Sequence, residues 1–332
     1  MNDAIAAVIH PSRFPDADRE QLLQSLAQRR IAMRFHYESH AQAHLWLQVH
    51  NTFAPSRTDT HYPAHIERLH GAALSCGNHQ PSFVIGLGCG SGQKEAQLLR
   101  LFAARNLVAG YVPVDTSLPL LIMATHAARE VLPALNARPV VADLSELHAL
   151  SPLLDQLADP SHPRVFTFFG MLPNLEPAQA FRQFQALLRP QDLLIASANL
   201  APGTDDTRGM QRILPQYDNA PTREWLQRLM LDLGAERSDG SIQFGIQDTA
   251  APGIRQVVAD YIFDRPRQLT AQGRAFDFQP GDKVRLFFSC RYTPERIAAT
   301  ASSAGLAIVA HEVLASGEEM IFLCRPANAQ PT

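Results

Sequence analysis

The sequence of 332 residues predicts an α/β protein built on a doubly wound sheet, with an α+β segment inserted late in the chain. Three observations predict it. Between Pro81 and Ala198, short apolar runs alternate with helical patterns, as parallel strands joined by crossover helices require. The first run, Phe83-Val84-Ile85, breaks into glycine at Gly86, Gly88, Gly90 and Gly92, and helical spacing then resumes at Lys94-Glu95-Ala96-Gln97-Leu98-Leu99. Past residue 200 the alternation stops, and it returns only near the C-terminus.

Taken in order, residues 16–43 carry a helical pattern with Leu22, Leu23, Leu26 and Ala27 on one face. Residues 37–54 are rich in aromatic and histidine side chains, and Pro55-Ser56-Arg57-Thr58 ends that stretch. Pro63 suits the first position of a further helix. Strands are expected at residues 83–87, 110–114, 139–142, 165–169 and 192–198, and helices at 93–105, 118–131, 144–157 and 177–188. Within 201–284, Trp225, Leu226, Leu229 and Leu233 mark an amphipathic helix, with polar strands at 256–263 and 276–278. A strand at 285–292, a helix at 294–303 and a strand at 319–324 are expected to complete the main sheet. The expected division is a ligand-binding domain of residues 58–200 plus 291–332, and a substrate-binding lid of 1–57 plus 201–290.

Composition narrows the function. A hydrophobic content of 46% with 18% charged residues suits a soluble globular chain. Its net charge of −3 gives no electrostatic reason to expect nucleic acid or a membrane as partner. Cys76, Cys89, Cys290 and Cys324 are scattered with no C-x-x-C pair, the usage of reduced thiols in the cytoplasm. The start lacks a basic n-region, and Pro11 and Pro15 interrupt its apolar residues, so a cytoplasmic location is expected.

The chemistry centres on the glycine turn. Glycine permits backbone angles and ligand approach that a Cβ forbids, and the following helix start offers unpaired N–H groups. A dinucleotide fingerprint, G-x-G-x-x-G, fails here: counting from Gly86 places Ser91 in the third slot, and counting from Gly88 places Gln93 there. That argues against a nicotinamide oxidoreductase. Asp115 ends the second strand, where an acid accepts both ribose hydroxyls; the competing role is an N-cap. Asp143, before Leu144, ends the third strand beside the expected adenine position, with the same competing role. Lys94 faces a cofactor carboxylate or is a solvated first-turn lysine. The G-x-G-x-G spacing resembles the first motif of class I methyltransferases that use S-adenosylmethionine.

Four separated pieces together resemble the histidine Nα-methyltransferase family of ergothioneine biosynthesis. They are Gly88-Cys89-Gly90 with Lys94; Val112-Pro113-Val114-Asp115; Phe168-Phe169-Gly170 leading to Asn174-Leu175-Glu176-Pro177; and Phe288-Ser289-Cys290-Arg291-Tyr292-Thr293-Pro294-Glu295. Phe35-His36-Tyr37, Pro55-Ser56-Arg57-Thr58 and Tyr217-Asp218 add to it. The resemblance implies a class I methyltransferase, Rossmann-like fold with an inserted α+β lid, and S-adenosylmethionine as cofactor. It implies cofactor contacts at Gly86, Gly88, Gly90, Lys94, Asp115, Asp143 and Leu144. Asn174 is implied to hold the substrate amino acid, and with Tyr37, an aromatic expected in the pocket wall, it is the expected catalytic pair; Phe53, Asn174, Tyr217, Phe287 and Ser289 are expected to line the substrate site.

This chain departs from the family at the substrate end. Phe287 stands where the family carries an acid that holds an imidazole, and Phe53 where it carries a tyrosine. The loop before Asn174 is one residue shorter, with Pro173 in place of a glycine. A site without its hydrogen-bond partners rejects polar substrates strongly. The expectation is therefore an N-methyltransferase for a small amino acid or amine other than histidine. Histidine itself, or a non-catalytic ligand- or metal-binding protein on the same fold, are the alternatives. His36, His40 and His44 are spaced for one helical face, yet no H-E-x-x-H is present and the chemistry needs no metal, so none is expected.

Overall fold

The computed structural model describes residues 4–77, 79–203 and 206–327. Its strands, in chain order, are β1 (Val8–Ile9), β2 (Ser82–Leu87), β3 (Val108–Asp115), β4 (Val140–Val141), β5 (Arg164–Phe168), β6 (Leu193–Asn199), β7 (Gly240–Asp248), β8 (Arg255–Phe263), β9 (Arg267–Ala271), β10 (Arg274–Phe278), β11 (Lys283–Arg291), β12 (Leu306–Val313) and β13 (Glu319–Pro326). Eight of them form a central sheet in the order β1-β4-β3-β2-β5-β6-β13-β12. β1 to β6 run parallel, whereas β13 pairs antiparallel with β6 and β12 antiparallel with β13. The chain winds outward from β2 in both directions, so a crevice opens beyond the carboxyl end of β2. There the glycine turn stands.

Helices cover both faces, which is why β2, β5 and the inner residues of β3 are buried throughout rather than on alternate residues. One face packs Phe181 and Phe184 of helix Pro177–Leu187 against Phe166, Phe168 and Phe322. The other packs Leu98, Leu99 and Phe102 of helix Gln93–Ala103, with Ile66 and Leu69 of helix Tyr62–Cys76, against Val84, Tyr111 and Ile195. This is the doubly wound sheet with crossover helices that the alternation predicted.

The inserted segment forms its own antiparallel sheet, β11-β8-β7, and a hairpin, β9-β10. Trp225, Leu226, Leu229 and Met230 of helix Ala220–Asp232 share a core with Ala259, Tyr261 and Val284 of that sheet, and with Leu26 and Phe35 from the N-terminal region.

Several expectations need correction. The strand at 285–292 does not join the central sheet; as β11 it pairs with β8, and β12, overlooked in the sequence, takes the edge position. β12 is exposed on alternate residues, so it lacks the continuous apolar run that marked the inner strands. The helical pattern over 16–43 is interrupted. Helix Pro15–Ala27 ends, Arg29 takes a positive φ of 53°, and a single turn Met33–His36 precedes helix His40–Phe53. Ser39 caps that second helix with a reciprocal bond to Gln42. His36 is thereby separated from His40 and His44: it is buried, its Nε2 meets the Leu286 carbonyl at 2.8 Å, and it packs on Trp225. Val8–Ile9 also extends the central sheet, although the sequence grouped residues 1–57 with the lid. Among the described residues no helix is long and apolar enough to cross a membrane.

Candidate active site

A cavity of about 650 Å³ lies beyond the carboxyl end of β2, between the central sheet and the inserted segment. The glycine turn forms its floor. Gly88 and Gly92 adopt φ of 64° and 73°, a region that a side chain strains to enter. A Cβ on Gly92 would lie 2.5 Å from the Ala124 Cα, so this glycine lets helices Gln93–Ala103 and Leu118–Val131 approach. A Cβ on Gly88 would lie 2.8 Å from the Met171 Cγ and 3.3 Å from the Leu144 Cδ1, two side chains that line the same cavity.

Asp115 stands beside the turn and is almost wholly buried. Its Oδ2 accepts the Gly90 N–H at 2.9 Å, and its Oδ1 accepts the Ser117 N–H at 2.9 Å. Burial raises its pKa above the ordinary carboxylate range, while those N–H groups pull it back. Each oxygen keeps acceptor capacity, and Asp115 lines the cavity, which suits a vicinal diol. Further along the wall, Asp143 and Leu144 line the same cavity. The Asp143 carboxylate accepts the Ser145 N–H at 2.9 Å, as a local turn residue does, and the Gln21 amide at 2.8 Å. Arg34 approaches it to 3.5 Å and is itself held by Asp18 and Glu38, each at 2.8 Å. The N-terminal helix thus closes this end of the cavity.

At the other end, Lys94 extends over the rings of Phe169 and Tyr62, its Nζ 4.8 and 5.4 Å from their centroids. Burial lowers its ammonium, and the Glu319 carboxylate is the largest charge opposing that. Asn174 lines the cavity and donates its amide to the Phe288 carbonyl at 2.5 Å, which leaves its oxygen available as an acceptor. Tyr217 and Ser289 share a hydrogen bond of 2.9 Å between their hydroxyls, and Arg291 donates to the Tyr217 hydroxyl at 2.7 Å. The Phe287 ring lies 5.7 Å from Tyr217 and 6.1 Å from Trp225, so Phe287 and Ser289 face the same wall, as their spacing on a strand predicted. Tyr37 bridges Trp225 and Trp46 at 5.5 and 5.8 Å. Burial first, and the Asp115 charge second, push the Tyr37 hydroxyl well above its ordinary value, so it stays protonated. Phe53, the last residue of its helix, lines the cavity and a smaller groove beside it.

Of the residues picked out in the sequence, twelve line this one cavity; Gly86 lies inside β2, where a Cβ would meet the Glu95 Cγ at 3.1 Å and the Cys89 Cβ at 3.2 Å. Sequence reasoning missed Gln21, Arg34, Trp46, His50, Asn199, Trp225, Arg291 and Glu319 as lining residues. Trp46 and His50 sit one helical turn apart with their rings stacked at 5.0 Å, a signal present in the aromatic stretch. Arg291 lay within a quoted segment. Nothing local marked Glu319. Among the described residues no group of three His, Cys, Asp or Glu side chains is placed to hold a metal ion.

Comparison with known proteins follows the same direction. A family model described as "Histidine-specific methyltransferase, SAM-dependent" matches residues 19–325. Among curated proteins, none matches the chain significantly. Similar solved structures include a 1,6-didemethyltoxoflavin-N1-methyltransferase from Burkholderia thailandensis with S-adenosylhomocysteine bound, at 12% identity and a TM-score of 0.43, over 87% of this chain and 89% of that one. A magnesium protoporphyrin IX methyltransferase from Synechocystis PCC 6803 gives 14% identity and a TM-score of 0.44, over 86% and 94%. The CcbJ methyltransferase from Streptomyces caelestis gives 18% and 0.36, over 80% and 96%. Scores this low leave the family match and the geometry of the cavity to carry the assignment.

Proposed function

We propose a function from one premise: this chain belongs to the histidine-specific, SAM-dependent methyltransferase family, whose pattern covers nearly all of it. It is a SAM-dependent methyltransferase acting on a small substrate, and the reaction we propose is methylation of the α-amine of an amino acid, histidine first among them. One observation carries this: a single cavity joins a buried diol acceptor, Asp115, to a polar wall of Asn174, Tyr217 and Ser289. In this reading Gly88, Gly90, Lys94, Asp115, Asp143 and Leu144 hold the cofactor, with Gly86 shaping the strand beneath it. Residues 58–200 with 291–332 act as the cofactor body, joined at the sheet edge by Val8–Ile9, and the rest of 1–57 with 201–290 as the lid.

The residues fit S-adenosylmethionine. A Cβ at Gly88 would crowd Met171 and Leu144 in the cavity wall, and the two Asp115 oxygens are oriented by backbone N–H groups with acceptor capacity left over. When bound, that cofactor supplies an electrophilic methyl group on a sulfonium. The protein's task is then to hold a neutral amine in line with it and to exclude water. Asn174, its amide fixed on Phe288, presents an oxygen that accepts an amine N–H. Tyr37, kept protonated by burial and by Asp115, donates to the substrate and cannot serve as the base. Tyr37, Trp46, Trp225 and Phe287 wall the site with aromatic faces, which suit the positive charge that develops on nitrogen.

The family description favours histidine over the other amino acids that the sequence pointed to. Phe287 is the specific observation for that second reading, because it puts a buried phenyl ring where an acid would hold an imidazole. Calorimetry of the S-adenosylhomocysteine-loaded protein with histidine, phenylalanine and histamine tests the proposal. Binding of an amino acid in preference to its decarboxylated amine is expected; binding of none of the three contradicts it.

A further inference from the structure

Glu319, at the Lys94 end of the cavity, is a carboxylate whose side chain makes no hydrogen bond or ion pair among the described residues. It opens β13 directly opposite Asn199 of β6, and the antiparallel register puts both at the cavity edge of the sheet. Its side chain is 97% buried by the 3% exposure of the residue, and its Oε2 is fully enclosed with no hydrogen-bond partner. The two nearby acids are satisfied: Glu95 accepts the Thr167 hydroxyl at 2.7 Å, and Glu318 accepts the Gln216 amide at 3.0 Å. A buried carboxylate without a partner is costly, so one that is retained beside a cavity marks the place of a cation or a strong donor.

The opposite charge nearby is Lys94. Glu319 is the strongest charge acting on its ammonium, yet no carboxylate among the described residues comes within 4.0 Å of it. Lys94 rests instead on the rings of Phe169 and Tyr62, and the Tyr62 hydroxyl is also buried without a partner. One cation and one anion that face a cavity without touching each other form a receptor for a zwitterion: a carboxylate toward Lys94 and an ammonium toward Glu319.

We propose that Glu319 is a cofactor-recognition residue that accepts the α-ammonium of the amino-acid end of S-adenosylmethionine, while Lys94 takes the carboxylate. The inference rests on the methyltransferase reading and adds to it a residue that is far from the glycine turn in sequence. It predicts selectivity for cofactors that keep the zwitterionic tail.

The test is calorimetric and needs no turnover. S-adenosylhomocysteine carries the zwitterion; 5′-methylthioadenosine carries the same adenosine and sulfur without it. Glu319→Gln, which keeps shape and removes charge, is expected to weaken S-adenosylhomocysteine about 10- to 100-fold, the range of a charge-assisted hydrogen bond. Binding of 5′-methylthioadenosine is expected to stay within about twofold, and that also reports an intact adenosine site. Equal weakening of both ligands, or no change in either, overturns the proposal. Should the variant fail to fold, the unaltered protein decides with the deaminated analogue of S-adenosylhomocysteine. Loss of tenfold or more on removing that amino group supports the proposal, and undiminished binding overturns it. Failure of the unaltered protein to bind S-adenosylhomocysteine at all would instead remove the cofactor reading.

Discussion

The Gly90 N–H donates to the Asp115 carboxylate at 2.9 Å, and this bond ties the glycine turn after β2 to the end of β3. In the proposed reading the same side chain that closes the turn also meets the cofactor. Two consequences follow for a variant: ligand contacts are lost, and the turn loses an anchor. Asp115→Ala is expected to reduce S-adenosylhomocysteine affinity about 10- to 100-fold and stability by about 1–3 kcal/mol. Asp115→Asn should retain part of the stability, because its oxygen still accepts one of the two N–H groups. Calorimetry with a denaturant titration measures both, and unchanged affinity in the alanine variant would misplace the adenosine.

Acid stability should depend on His36. Burial lowers its pKa to about 4, against about 6.5 when exposed in the unfolded chain. Between those values the unfolded chain binds a proton that the folded chain refuses. Stability therefore falls as pH drops from about 6.5 to about 4, and this group removes nothing further below that. The total is on the order of 3 kcal/mol. His70, buried with a pKa of about 3, continues the loss to lower pH. His36→Gln keeps a donor for the Leu286 carbonyl and should flatten the upper part of the profile. Urea titrations from pH 7 to 4 measure it, and an unaltered slope in the variant would contradict the assignment.

Arg164 and Asp192 make the most deeply buried ion pair of the central sheet, with side-chain exposures of 1% and 0%. Asp192 also caps the turn before β6 by accepting the Arg189 N–H at 2.8 Å. Arg164→Met should cost about 3–5 kcal/mol, because it strands a buried carboxylate. Neither residue lines the cavity, so cofactor affinity at low temperature should hold. A loss below about 1 kcal/mol would show that water reaches Asp192.

How far the sequence reached depends on range. Strands β2, β3, β5 and β6 were legible because each is a local apolar run, and helix Leu118–Val131 because its periodicity is local too. Asp115, Asp143 and the glycines were legible for a related reason: a parallel α/β sheet places strand ends and the first turn at one crevice. Pairing was not legible. Residues 285–292 look like a closing strand of the main sheet, and only the partner β8, more than twenty residues earlier, decides otherwise. Glu319 shows the same limit at the site. The role proposed for it depends on lying opposite Asn199 and near Lys94, and neither relation leaves a mark on Gly317-Glu318-Glu319-Met320.

In the proposed reaction specificity would turn on Phe287, packed between Tyr217 and Trp225. Phe287→Glu would place an acid beside Ser289 and the end of the substrate. The expected result is a tenfold or greater rise in methylation of histidine relative to phenylalanine, with a stability loss of about 3 kcal/mol from removing the ring. A competition assay with both amino acids reads the ratio directly. If it does not move, this wall does not meet the substrate side chain.

The central claim is methyl transfer to an amino-acid α-amine, and one measurement tests it most directly. The unaltered protein is incubated with methyl-labelled S-adenosylmethionine and histidine, then with the other amino acids, and the position of the label is read by mass spectrometry. The account predicts label on the α-nitrogen of histidine or of an apolar amino acid, at about 1 per second or faster for the preferred substrate. A protein that binds the cofactor yet labels no amino acid, or labels a carboxylate or a ring atom instead, would contradict it.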